Sequence, residues 1–138
     1  RLYEYAGELS CKLGLPVVEL GLGVWQKPVF WMDYQAGPQE FLGYIHHAEC
    51  VVTNSFHGIA FSIIFEKRFI GFLHETRGER TRNILKICGL EDRLYEERGG
   101  DVYGRGEICW EDVRRRTAEA VRHSKIYLEI LKEEDEKE

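Results

Sequence analysis

The chain has 138 residues, of which 43% are hydrophobic and 12% aromatic, enough for one domain with a bulky core. Its formal net charge is −5, with much of the acid in residues 133–138, which argues against a general nucleic-acid binder. No apolar run approaches the ~18 residues of a membrane span, so we expect no transmembrane segment. These features predict a cytoplasmic protein, with the inner face of the membrane as an alternative position.

The four cysteines, Cys11, Cys50, Cys88 and Cys109, lack CxxC spacing. Cys50 and Cys88 lie in apolar contexts, so reduced thiols are favoured over a disulfide framework. The histidines and cysteines also lack the spacing of metal ligands. We therefore expect no metal site and no cofactor.

The first third of the chain alternates between helix and strand signals. Apolar residues at helical spacing predict a helix over residues 2–13, and residues 16–20 predict a strand. Residues 21–37 are rich in glycine and aromatics, which predicts a long loop that forms a lid or the inner side of an interface. A second helix is predicted to begin near Pro38, since proline suits a first helical turn.

The middle of the chain continues the alternation. Residues 50–53 form an apolar, β-branched run that predicts a strand buried on both faces. Residues 56–65 are apolar on nearly every side and predict a buried helix. Another strand is expected over residues 68–73, a polar loop over 74–80, and a short helix over 81–88.

The last part of the chain is less regular until Trp110. Residues 90–107 predict a loop with a short strand, and Trp110 begins a long helix that frays beyond Lys132. Alternating helices and strands predict an α/β fold, a Rossmann-like three-layer domain with a mainly parallel sheet. A first helix with no strand before it indicates that residues 1–138 are one domain of a larger protein, cut just after a strand.

Polar residues cluster where the strand over residues 50–53 meets the following helix. Asn54 and Ser55 are turn and N-cap residues, and His57 follows in the first helical turn. Gly58 lets a backbone come close, or lets a helix begin against a strand. Ligands of open α/β sheets bind at the carboxyl ends of strands, and unpaired helix amides suit a phosphate or carboxylate.

These residues also resemble a known family. Residues 37–45, 48–58 and 60–65 resemble the carboxyl-terminal half of the polysaccharide pyruvyl transferase family, and residues 80–85 with 89–93 are similar to that family's short helix after the last core strand. The resemblance covers about residues 2–95. It implies one of two Rossmann-like halves that face each other across a cleft, in a glycosyltransferase-B-like architecture.

The resemblance also implies an activity. The family transfers the enolpyruvyl group of phosphoenolpyruvate to two sugar hydroxyls, forming a pyruvate ketal in polysaccharide or exopolysaccharide biosynthesis. His57 matches the family's active-site histidine, and Arg80 best matches its arginine near phosphoenolpyruvate, with Arg82 as the fallback. The implied partners are phosphoenolpyruvate, a saccharide or lipid-linked saccharide acceptor, and an absent amino-terminal half-domain.

The chemistry of the residues is compatible with this activity. A histidine transfers protons near neutral pH, and an arginine together with helix amides suits a phosphate. We therefore expect His57 to be catalytic, and Arg80, Ser55, Asn54 and Gly58 to bind phosphoenolpyruvate, although the isolated chain should be inactive. Two alternatives stay open: a nucleotide-sugar-dependent glycosyltransferase, with Glu75 or Glu79 on the ribose, and a non-catalytic binding domain.

Overall fold

The computed structural model describes residues 1–20, 30–33, 35–74, 78–96 and 100–135, with the side chains of 30–32 and 127–135 left out. The helices in these ranges are α1 (Leu2–Leu13), α2 (Pro38–His47), α3 (Phe56–Ile64), α4 (Gly78–Cys88) and α5 (Trp110–Asp135). The strands are β1 (Val17–Leu20), β2 (Phe30–Asp33), β3 (Val51–Thr53) and β4 (Phe69–Gly71). Short 3₁₀ turns lie at Glu91–Arg93 and Tyr103–Arg105.

The helix boundaries follow ordinary capping rules. Helix α1 ends at Gly14, whose φ of 65° is the left-handed conformation that glycine adopts without strain. Helix α2 has Gly37 as its N-cap and Pro38 in its first turn, as the sequence predicted. Gly89, at φ 69°, follows the end of α4 in the same way.

The strands form two parallel pairs. Strand β1 pairs with β2, from Val17 opposite Phe30 to Leu20 opposite Asp33. Strand β3 pairs with β4, from Val51 opposite Phe69 to Thr53 opposite Gly71. The parallel arrangement is as predicted, but within the described ranges the pairs are two separate two-stranded sheets. The prediction of a loop throughout residues 21–37 is wrong at Phe30–Asp33, and residues 21–29 lie outside the described part.

Helices pack on both faces of the β3–β4 pair. Neighbouring strand residues point to opposite faces, and both Phe69 and Ile70 are almost fully buried. Phe69 joins a cluster with Ile59 of α3, Leu85 of α4 and Val113 of α5. Ile70 instead joins Leu9 of α1 and Val102, which lies next to the second 3₁₀ turn. The chain is therefore a mixed α/β protein with helical layers on either side of this parallel pair.

The segment after β4 differs from the prediction in one useful respect. Helix α4 begins at Gly78 rather than at residue 81, so Arg80 lies in its first turn and not in a loop. Residues 75–77 lie outside the described ranges. Further on, where a short strand was expected within residues 90–107, the described residues contain only an isolated parallel bridge between Leu94 and Gly71.

Two apolar stretches are less buried than their composition suggests. Helix α3 was expected to be covered on nearly every face, yet Ile64 is 65% exposed. Strand β3 was expected to be covered on both faces, yet all three of its residues are only half-buried. In α5, Val113 is buried and Ala120 is half-buried, whereas Ser124 is exposed.

Candidate active site

A compact turn joins β3 to α3. The backbone N–H of Ser55 donates to Thr53 Oγ1 at 3.0 Å, which reverses the chain directly after the strand. Ser55 is the N-cap of α3, and its Oγ accepts from the N–H of Gly58 at 3.4 Å. The N-cap role predicted for Ser55 is therefore confirmed.

Gly58 permits α3 to begin against β3. A Cβ atom built on Gly58 would lie 2.5 Å from Thr53 Oγ1, far inside normal contact distance. The glycine is buried, and Ser55 already accepts its amide hydrogen. Of the two roles proposed for Gly58, the structure supports a close approach of helix and strand. Its backbone still forms part of the turn around the site.

Two backbone N–H groups in the first turn of α3 have no recorded hydrogen-bond acceptor among the described residues. The N–H of Ile59 makes the first intrahelical bond, to the carbonyl of Ser55, and the N–H of Gly58 is capped. Within the described ranges, no acceptor is recorded for the N–H groups of Phe56 and His57. Both amides lie at the positive end of the helix dipole, so this end of α3 is suited to an anion.

His57 lies on the surface at this same helix end. Its side chain is exposed, and its ring contacts the Phe56 ring edge-on, with 5.8 Å between centroids. The imidazole nitrogens have no hydrogen-bond partner among the residues that the structure describes. An exposed imidazole without a structural partner is available to exchange protons with a bound molecule.

Arg80 reaches the site from α4. Its guanidinium carbon lies 4.9 Å from the centroid of the Phe56 ring, a cation–π distance. Phe56 thus contacts both the imidazole of His57 and the guanidinium of Arg80. No contact between Arg82 and α3 is recorded in the described part of the chain, although Arg82 is also exposed. Arg80, and not Arg82, therefore has a recorded contact with the residue next to the histidine.

Asn54 and Ser55 border a larger cleft. This cleft has a volume of about 590 Å³ and extends between β1 and β3, with Gly58 at the same end. His57 and Arg80 are not among its lining residues. The predicted site residues therefore form two adjoining groups: Asn54, Ser55 and Gly58 at the end of the cleft, and His57 with Arg80 around Phe56.

Sequence reasoning missed the role of Phe56. In the sequence Phe56 was only one residue of a longer motif, whereas in the structure its ring contacts both His57 and Arg80. An aromatic residue directly before a histidine at a helix start was the available signal. The contact of Phe56 with Arg80 depends on the packing of α4 against α3, which the sequence pattern alone does not predict.

The described residues hold no cluster of three or more His, Cys, Asp or Glu that could bind a metal ion.

None of the helices within the described ranges is both long and apolar enough to cross a bilayer. His74, which was expected to be a plain loop residue, is exposed after β4. The site chemistry of the described part thus consists of imidazole, guanidinium, hydroxyl, amide and helix N–H groups.

Together these elements define an α/β protein with a strand–turn–helix unit suited to anions and flanked by a histidine and an arginine. A family model described as Polysaccharide pyruvyl transferase matches residues 3–76, more than half of the chain. The chain belongs to this family, which confirms the resemblance and indicates a transferase of polysaccharide biosynthesis. The match includes His57, whereas Arg80 lies beyond it. No curated protein and no solved structure gives a significant match.

Proposed function

We propose that this chain is the carboxyl-terminal half of a ketal pyruvyltransferase. The enzyme transfers the enolpyruvyl group of phosphoenolpyruvate to two hydroxyls of a saccharide or lipid-linked saccharide. His57 is the proton-transferring residue in this proposal, and Arg80 binds the phosphate or carboxylate of the donor. Asn54, Ser55 and the backbone at Gly58 complete the anion-binding turn.

One observation carries the proposal. The Arg80 guanidinium and the exposed His57 imidazole both contact Phe56, at the helix end where two amides have no recorded acceptor among the described residues. A guanidinium and two amides offer several donors to one anion, and a neighbouring imidazole can transfer a proton to or from that anion's reacting atoms. Phosphoenolpyruvate is a small dianion or trianion whose reaction requires such proton transfer.

The reaction moves two protons, one from each sugar hydroxyl. Two sugar hydroxyls each form a C–O bond to C2 of the enolpyruvyl group and each release a proton. The methylene at C3 takes one proton and becomes a methyl group. The bond between C2 and the phosphate oxygen breaks, and the departing phosphate takes the other proton. In this proposal His57 relays protons among these atoms, while Arg80 stabilises the negative charge on the leaving phosphate.

The same proposal includes a second half-domain. In a glycosyltransferase-B-like arrangement, the acceptor would bind between this half and an amino-terminal Rossmann-like half. The 138-residue chain therefore binds the donor in this account but does not complete the transfer. The enzyme would act in the cytoplasm or at the inner face of the membrane, where a lipid-linked acceptor is accessible.

Calorimetric titration distinguishes the candidate functions. Phosphoenolpyruvate and uridine diphosphate are titrated separately into the chain, and then into the complete enzyme that the proposal implies. We expect phosphoenolpyruvate to bind and uridine diphosphate to give no heat beyond dilution. Binding of the nucleotide alone would contradict the proposal and favour a nucleotide-sugar glycosyltransferase. Binding of neither ligand, even by the complete enzyme, would favour a non-catalytic domain.

A further inference from the structure

The side chain of Arg80 is held differently from the arginines of α5. Its guanidinium carbon lies 4.9 Å from the centroid of the Phe56 ring, and no ion pair of Arg80 is recorded within the described ranges. The equally exposed Arg114, Arg115 and Arg116 each pair with a carboxylate instead. The Phe56 ring is therefore the recorded contact that can give the Arg80 side chain a preferred orientation.

The core fixes the backbone around Arg80 independently of this contact. Thr81, the next residue of α4, is only 3% exposed, and Leu85, one turn later, is fully buried. Leu85 lies in the same apolar cluster as Ile59 of α3, so the two helices are held together beneath the surface. A change of the Phe56 side chain should therefore leave the backbone of Arg80 in place and alter only the direction of its guanidinium.

Restricting a long surface side chain before it binds a ligand increases affinity. An arginine that moves freely among its rotamers loses that freedom when it binds an anion, and this loss weakens binding. A contact that already restricts the side chain in the free protein reduces the loss. Phe56 provides such a contact at the helix end where the N–H groups of Phe56 and His57 have no recorded acceptor among the described residues.

A phenyl ring suits this role better than a carboxylate would. A carboxylate partner would neutralise the guanidinium and occupy the N–H donors that bind an anion. The face of an aromatic ring attracts a cation, yet the ring carries no net charge. Phe56 is half-buried in the first turn of α3, so its own position is limited by the helix. Arg80 therefore keeps its charge and its donors for a ligand.

We propose that Phe56 is a positioning residue. It holds the guanidinium of Arg80 at the first turn of α3, so that one anion contacts the guanidinium and the helix amides together. Phe56 acts through Arg80 and does not touch the reacting atoms of the donor. The proposal rests on the proposed function for the identity of the anion, phosphoenolpyruvate, but the orientation of Arg80 by Phe56 is measurable without any ligand.

The first experiment observes Arg80 by NMR in the ligand-free chain. A guanidinium over an aromatic ring experiences the ring current, so the Nε–H proton of Arg80 should resonate upfield of that of Arg82. Phe56→Leu should remove this shift, and Phe56→Tyr should retain it. Loss of the resonance in Arg80→Ala assigns it. Equal resonance positions for the two arginines, or a shift that survives Phe56→Leu, would overturn the proposal.

The second experiment measures the Kd of phosphoenolpyruvate by calorimetry in a double-mutant cycle. Phe56→Leu should raise Kd about two- to fivefold, which corresponds to the size of an exposed cation–π contact. In the Arg80→Ala chain the same change should alter Kd by less than about 1.5-fold, because the ring then has no cation to orient. Phe56→Tyr should bind within about 1.5-fold of the unsubstituted chain, since it keeps the aromatic face.

A matched control separates positioning from packing. Phe65, the C-cap of α3, is also half-buried, and its ring contacts Phe61 and His46. Phe65→Leu should lower Tm without changing Kd. An equal rise of Kd on Phe56→Leu with and without Arg80 would leave Phe56 only a packing role and overturn the proposal. If phosphoenolpyruvate fails to bind even the unsubstituted chain while the NMR shift is present, the proposed function fails and the orientation of Arg80 by Phe56 is still supported.

Discussion

The guanidinium of Arg80 lies 4.9 Å from the centroid of the Phe56 ring and joins the first turn of α4 to the first turn of α3. Phe56 also contacts His57, so one aromatic ring holds a cation and an imidazole at the same helix end. Cation–π contacts at exposed sites contribute only about 0.5–1 kcal/mol, so this contact orients Arg80 without removing it from solvent. It leaves the guanidinium donors available to an anion.

Replacing Arg80 with alanine should weaken binding of phosphoenolpyruvate. Hydrogen bonds to charged groups contribute about 1.5–3 kcal/mol, which corresponds to roughly a tenfold or larger rise in Kd. Arg82→Ala is the matched control, since Arg82 is exposed in the same helix without a recorded contact to α3, and it should change Kd less than twofold. Calorimetry measures both values. A larger loss in the Arg82 variant would mean that the other arginine binds the anion.

Replacing Gly58 with alanine should destabilise the fold. The new Cβ would lie 2.5 Å from Thr53 Oγ1, and Thr53 is held in place by its bond to the N–H of Ser55. Overpacking of this kind costs about 1–3 kcal/mol. Gly43→Ala in α2 is the control, because nothing lies within 4 Å of its added Cβ, and it should stabilise by about 0.5–1 kcal/mol. Urea unfolding of both variants gives the comparison, and equal effects would refute the packing role of Gly58.

The four free cysteines should differ in reactivity. Burial raises the pKa of Cys50 to about 12, partly offset by nearby Arg68, and burial also raises the pKa of Cys88. Cys11 and Cys109 are exposed. At pH 8 iodoacetamide should modify the exposed pair and leave the other two mostly unmodified, because the thiolate is the reactive form. Mass spectrometry identifies the sites, and all four should react in urea. Rapid modification of Cys50 in the folded chain would contradict this account.

Asp101 should stabilise the folded chain by an amount that depends on pH. Its carboxylate accepts hydrogen bonds from Lys12 at 2.5 Å and from the Tyr5 hydroxyl at 3.0 Å, and the Lys12 bond is the main reason that its pKa is lowered. A carboxyl whose folded pKa is lowered stabilises the fold above its unfolded pKa of about 3.9. That stabilisation is lost as the pH falls through the lower folded value.

Asp101→Asn should therefore reduce the free energy of unfolding at pH 7 by about 0.5–1 kcal/mol, since the ion pair is half-exposed. The difference from the unsubstituted chain should shrink in high salt and disappear in strong acid. Glu8→Gln is the control, because Glu8 is exposed and no ion pair is recorded for it in the described ranges. Denaturant titrations at several pH values make the measurement, and a constant difference down to strong acid would refute the ion-pair explanation.

Local patterns predicted much of the fold. Helix α1 with its glycine end, the proline start of α2, the N-cap at Ser55 and the start of α5 all follow from side-chain chemistry within a few residues. Strand β2 was missed, because its aromatic residues lie in a glycine-rich stretch whose composition is typical of loops. Pairing with β1 over four residues decides the conformation there, and that pairing is a tertiary effect.

The sequence named the residues of the proposed site but not their arrangement. His57, Ser55 and Gly58 share one turn, so sequence spacing was enough to bring them together. Arg80 was expected in a loop, yet it lies in the first turn of α4, and only the packing of α4 on α3 brings it to Phe56. The half-burial of β3 could not be foreseen either, because it depends on which strand borders each of its edges.

The most direct test of the central claim is the rate of ketal formation by the complete enzyme with His57 replaced by alanine. General acid–base catalysis by a positioned side chain contributes about 10²–10⁴-fold, so we predict a loss of that size with little change in the Kd of phosphoenolpyruvate. His46→Ala, a change of an exposed histidine on α2, should leave the rate within twofold. Ketal formation at the unsubstituted rate by the His57 variant would contradict the account.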